Sequence, residues 1–103
     1  MLNAKEAEKV KKLLEGNEVD MAPVFSALAD QTRCNIFRAI ISRKSLCVSD
    51  IVNILGISMP SASQHLKILE TKGLLTRERK GREIYYSPNT KNPIVSAIEK
   101  VVA

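Results

Sequence analysis

The sequence predicts a mainly α-helical fold carrying one β-hairpin. Three observations predict it. Apolar residues recur at helical spacing in short segments, which Gly16, Gly56 and Gly73 punctuate. From Leu74 the period changes: LLTRER, then Lys80-Gly81, then REIYYSP read as two strands around a glycine-containing turn. Helical spacing returns at Asn92 and runs to the end of the chain.

Size and composition bound what such a fold can be. With 103 residues, 45% of them hydrophobic and 26% charged, residues 1–103 read as one small globular domain. Two Phe, two Tyr and no Trp leave the core to Leu, Ile and Val. A monomer of this length buries little more than ~60% of its unfolded surface, so an oligomer is expected. No apolar run approaches the ~20 residues of a membrane span, and the lysine-rich start lacks a signal-peptide core. Cys34 and Cys47 do not make a secreted disulfide framework, so a cytoplasmic protein with reduced thiols is expected. One His and two Cys offer little material for a catalytic centre, and neither an enzyme nor a cofactor is expected.

In order along the chain, residues 4–15 place Ala7, Val10, Leu13 and Leu14 on one stripe, with Lys5, Lys9 and Lys12 elsewhere. Gly16-Asn17 stops that helix. Its apolar face is short and lacks aromatics, which suits packing better than a membrane surface. A second helix is predicted from about Met21 to Ala29, with Pro23 tolerated in its first turn. Asp30 is the N-cap expected for a third, Gln31–Ser42, with Ile36, Phe37, Ile40 and Ile41 inward. Residues 43–46 read as a polar turn, and Val48–Leu55 as a short helix closed by Gly56. Ser58 caps a helix from Met59 to Lys72, with Gly73 just past its end. On the hairpin's return strand Tyr85 and Tyr86 alternate, so one of them packs inward.

The last helix, Asn92–Val102, carries Ile94, Val95, Ile98, Val101 and Val102, an apolar face too wide for its length. With the first helix it offers more apolar surface than the core between them can cover. Terminal helices 4–15 and 92–102 are therefore expected to pair with their copies across a twofold axis. Val10, Leu14, Ile94, Ile98 and Val101 are the interface candidates.

Charge points to the partner. Residues 1–57 hold eight bases and seven acids, and residues 83–103 balance at zero. Residues 58–82 hold six bases (Lys67, Lys72, Arg77, Arg79, Lys80, Arg82) against Glu70 and Glu78, so four of the five excess charges sit there. In the same stretch, the turn through Gly56 and the helix starting at Ser58 make a helix-turn-helix pattern, and the hairpin makes a wing. Projected at ~100° per residue, Ala62, Leu66 and Leu69 face the core. Pro60, Gln64, Lys67 and Thr71 lie opposite, with Ser61 and Ser63 on the flanks.

That face suits a DNA duplex. Gln64 can present a donor–acceptor pair to adenine, Ser hydroxyls adapt to bases or phosphates, and Lys67 neutralises a phosphate. Arg79, Lys80 and Arg82 surround Gly81 at the wing tip, placed to reach an adjacent minor groove or backbone. A winged-helix module for protein–protein contact is the alternative; it would leave the Ser63/Gln64 face apolar or acidic.

FSALADQTRCNIF, SLCVSDIVNILGISMPSASQHLKILETKGLL and RKGREIYYS resemble the ArsR/SmtB family of winged-helix repressors across Val24–Ser87. The resemblance implies a homodimer joined by its first and last helices. It also implies operator DNA bound in consecutive major grooves, and repression relieved by an effector. Met59, Ser61, Ser63, Gln64 and Lys67 match the family's recognition-helix contact positions; many members have His where Gln64 stands.

Metal-sensing members carry L-C-V-C-D, where this chain has Leu46-Cys47-Val48-Ser49-Asp50. Serine is a poor replacement for a thiolate ligand of a soft metal. The family's other metal site uses Asp/His pairs on the last helix, which here has no His and only Glu99 as an acid. His65 sits on the core-facing flank of its helix, and Cys34 stands where the family usually has an aliphatic residue. The expectation is an effector other than a metal, a small molecule or an oxidant. A thiol switch would need Cys34 and Cys47 close together.

Overall fold

Helix starts fall where the sequence places its capping side chains. The computed structural model describes residues 1–16 and 19–102. Asn3 Oδ1 accepts from the Glu6 N–H at 2.8 Å, and Glu6 Oε1 accepts from the Asn3 N–H in turn, opening α1 (Ala4–Glu15). The helix stops at Gly16; Asn17, the other half of the predicted stop, lies outside the described residues. Pro23 lies in the first turn of α2 (Ala22–Leu28). Asp30 accepts from the Arg33 N–H at 2.9 Å and opens α3 (Gln31–Arg43).

The reading of residues 43–46 as a turn alone needs correction. Lys44 closes α3 in the left-handed region at φ 74°, and Leu46–Cys47 form a short strand, β1. After it come α4 (Val48–Leu55), α5 (Met59–Thr71), the hairpin strands β2 (Leu75–Lys80) and β3 (Glu83–Pro88), and α6 (Pro93–Val102). The sheet order is β1-β3-β2, antiparallel throughout, with Leu46 opposite Tyr86 and Cys47 opposite Tyr85. Two residues are too few for a period to show, so what makes them a strand is the open edge of β3, which they pair.

The core is built from one side of each element. Ile36, Phe37, Ile40 and Ile41 of α3 pack with Ile51 of α4, Leu66 and Leu69 of α5, and Leu74, all essentially inaccessible to water. Tyr86 is the inward tyrosine, and Tyr85 is half-buried on the opposite face of its strand. Val95 anchors α6 to this core, with Ile94 and Ile98 half-buried beside it. By contrast, α1 buries none of its residues and stands off the rest, within overall dimensions of 58 × 24 × 22 Å. Among the described residues no helix is long and apolar enough to cross a membrane.

Candidate nucleic-acid interface

The turn before α5 is set by Gly56, whose φ of 66° lets the chain leave α4 and reach the Ser58 cap within two residues. Ser58 accepts from the Ser61 N–H at 3.2 Å, satisfying one free donor of the new helix. Ala62, Leu66 and Leu69 then bury one face of α5 completely, which orients the opposite face outward. Met59, Ser63, Gln64 and Lys67 are exposed on α5, while Ser61 is half-buried beside the cap. Gln64 and Lys67 share a shallow hollow of about 400 Å³ with Ile68, Thr71 and Lys72.

The wing is tied to α5 at its root. Asn89 Nδ2 and Asn92 Nδ2 both donate to the Gly73 carbonyl, at 3.0 and 3.3 Å, and the Asn89 N–H donates to the Leu74 carbonyl at 2.9 Å. At the tip, Gly81 takes φ 64°, and Lys80 pairs with Glu83 across the turn. Strand alternation separates the wing cations. Arg77 and Arg79 share the face of buried Leu75, opposite Tyr86 and Ile84; Lys80 lies on the other face. There its Nζ sits 5.4 Å from the centroid of the Tyr85 ring, within cation–π reach. Arg79 Nε donates to the Gly81 carbonyl at 3.3 Å, and Arg82 is exposed.

One contact was not visible in the sequence. Arg77 Nε meets Glu70 Oε2 at 3.2 Å, joining β2 to the last turn of α5. Counting charges placed both residues in the basic stretch, but their pairing depends on how the strand lies against the helix.

The remaining polar groups sit away from that face. The Cys47 thiol and backbone N–H both donate to Asp50 Oδ2, at 3.2 and 3.0 Å. These donors hold the Asp50 carboxyl below its usual range, the backbone N–H first. Burial pushes the Cys47 thiol up, and the Asp50 charge adds to that. Cys34 is half-buried in the first turn of α3; both cysteines are free. His65 is half-buried, and its Nδ1 is buried without a hydrogen-bond partner among the described residues. Among those residues no three of His, Cys, Asp and Glu gather as a metal-binding group.

Of the dimer candidates, Val10, Leu14 and Val101 are exposed at 46%, 71% and 83%, whereas Ile94 and Ile98 pack partly on their own core.

Comparison with known proteins places this arrangement in company. Residues 30–77, from the α3 cap into the wing, match the family described as bacterial regulatory protein, arsR family. The chain is 39% identical over 77 residues to a cadmium resistance transcriptional regulatory protein CadC homolog of Staphylococcus aureus, covering 75% of this chain and 64% of that one. It is 40% identical over 70 residues to the transcriptional repressor SdpR of Bacillus subtilis, covering 68% of this chain and 77% of that one. The crystal structure of the transcriptional repressor PagR of Bacillus anthracis superposes with a TM-score of 0.68 at 36% identity, over 80% of this chain and 91% of that one. The chain spans 64%, 50% and 62% of the lengths of the first three curated relatives it matches.

Proposed function

The chain belongs to the ArsR family of bacterial regulatory proteins, and on that premise we propose that it is an effector-responsive repressor that binds a palindromic operator as a homodimer. Residues 1–103 act as one winged helix-turn-helix unit, at work in the cytoplasm. One observation carries the reading: α5 exposes Ser63, Gln64 and Lys67 while burying Ala62, Leu66 and Leu69, with the wing cations beside it. A helix held from behind in this way enters a major groove with its register fixed by the core. Gln64 reads a base pair and the Ser hydroxyls adapt to base or backbone. Lys67 and the wing neutralise phosphates.

Two subunits give two α5 helices, which must span successive major grooves about one helical turn apart. The exposed stripe of α1 and the outer edge of α6 are the surfaces proposed to join them. An effector then acts by binding the competent and incompetent spacings with different affinity. The Cys47 thiol is spent as a donor to Asp50, and Ser49 supplies no second thiolate, so the proposed effector is not a soft metal held by this segment.

In vitro selection from a random duplex pool tests the proposal. The enriched sequence should be a palindrome with half-sites about one helical turn apart. Gln64→Ala should cost about 1–3 kcal/mol on it and relax preference at one base pair per half-site. A pool that enriches no palindrome would end the dimeric operator reading.

A further inference from the structure

We propose that Glu70 is a specificity-determining residue: by pairing with Arg77 it withholds one cation of the interface from the DNA backbone. The inference rests on the DNA-binding reading above and deepens it.

Three observations carry it. Glu70 follows Ser63 by seven residues, so at ~100° per residue it lies within about 20° of Ser63 around α5. It is therefore an acid on the same flank of α5 as Ser63, beside the face that carries Gln64 and Lys67. A carboxylate there repels phosphates unless a cation neutralises it. Arg77 supplies that cation, with Nε 3.2 Å from Glu70 Oε2. Second, the strand dictates the direction of Arg77. It shares a face of β2 with Leu75, which is buried, and its partner across the ladder is the buried Tyr86. The guanidinium accordingly reaches back to α5 from the root of the wing. Third, the side chains are 56% and 31% exposed, and pairs so open to water contribute little to folding. What the pair changes is which charges are available to a polyanion.

The consequence is selective. Binding to random duplex depends almost wholly on phosphate contacts, so every additional free cation strengthens it. Binding to an operator also depends on base contacts that fix the position of α5, so one further phosphate contact adds less to it than to random duplex. Neutralising Glu70 leaves Arg77 on the same wing face as Arg79, free to take a phosphate. Non-specific binding gains a contact and the operator loses part of its advantage.

The experiment compares the full chain with Glu70→Gln and with Glu70→Gln/Arg77→Gln. Each is titrated with the selected operator and with random duplex between about 50 and 200 mM salt. On random duplex, Glu70→Gln should steepen the slope of log affinity against log salt by about 0.9, so affinity falls about 3.5-fold more across that range than in the wild type. The double variant should return to the wild-type slope, and discrimination between operator and random duplex should fall only in Glu70→Gln. Glu70→Ala, with the same expected slope, stands in if the glutamine variant fails to fold.

An unchanged slope in Glu70→Gln overturns the inference alone. A double variant with a slope about 0.9 shallower than wild type would show that Arg77 already holds a phosphate, and would also overturn it. A wild-type chain that binds no duplex overturns the DNA-binding reading and this one together.

Discussion

Cys47 and Asp50 are locked together at the start of α4: the backbone N–H and the thiol of Cys47 both donate to one carboxylate oxygen, Oδ2, at 3.0 and 3.2 Å. The thiol thus serves as a donor within a helix cap. Its two neighbours on the other side of β1 and β3, Leu46 and Tyr86, are core residues, so the cap also anchors the sheet.

Asp50→Ala should lower stability at neutral pH by about 1 kcal/mol, the usual size of a lost N-terminal cap. The gap should close in acid. A carboxyl depressed in the fold binds protons more weakly there than in the unfolded chain. Its contribution is therefore complete above the ordinary carboxylate range and is lost as pH falls through the folded value. Denaturant titrations of both proteins at about pH 7 and about pH 2 measure this, and a gap independent of pH would show that the charge of Asp50 is not its source.

Much of this frame was legible in the sequence because it is local. The caps at Asp30 and Ser58, the left-handed Gly56 and the buried stripe Ala62, Leu66, Leu69 follow from residue type and period, and each stands where it was read. What escaped is what needs two distant segments. Leu46–Cys47 becomes a strand only because Tyr85 and Tyr86 of β3 offer an open edge. Arg77 is one of the six bases in residues 58–82, yet β2 carries it toward Glu70. Likewise, Ile94 and Ile98 count toward the wide apolar face of α6, yet part of that face is spent within the subunit.

The wing cations should not be equivalent. Arg79 lies on the α5 side of the strand, Lys80 on the opposite side over Tyr85, and Arg82 beyond the turn. Arg79→Ala and Arg82→Ala should each reduce the salt slope of DNA binding by nearly one, with sequence preference unchanged. Lys80→Ala should change it by less than half as much. Binding isotherms across a salt series decide, and equal losses at all three positions would show that the DNA contacts both faces of the wing.

Assembly is best tested where a substitution cannot injure the subunit itself. Ile98→Glu would place a charge against the core, so it would unfold the subunit as readily as split a dimer. Val101, at 83% exposure, and Leu14, at 71%, touch no core. Burying such a side chain contributes about 1.5–3 kcal/mol. Val101→Glu and Leu14→Glu should therefore yield folded monomers with much weakened operator binding. Sedimentation and circular dichroism read the two quantities separately. A wild-type chain that is monomeric at micromolar concentration would end the dimer proposal.

The last prediction concerns what should fail to release the protein from DNA. Cys47 is buried, its thiol is pushed toward the protonated form by that burial, and its proton is directed at Asp50. The thiolate is the metal ligand and the species oxidants attack, so each feature lowers its reactivity. Taking a soft metal would require the thiol to lose its proton and break the cap, with Ser49 beside it offering no second sulfur. A twofold axis supplies only another copy of the same fragment. Zinc, cadmium and arsenite at stoichiometric amounts should leave operator affinity within about threefold, a coupling below ~1 kcal/mol. Peroxide should act no more strongly, and Cys34→Ser and Cys47→Ser should bind operator as the wild type does, with or without either reagent. Tenfold release by metal that Cys47→Ser abolishes would mean the thiol leaves Asp50 far more easily than its 3.2 Å bond and burial imply.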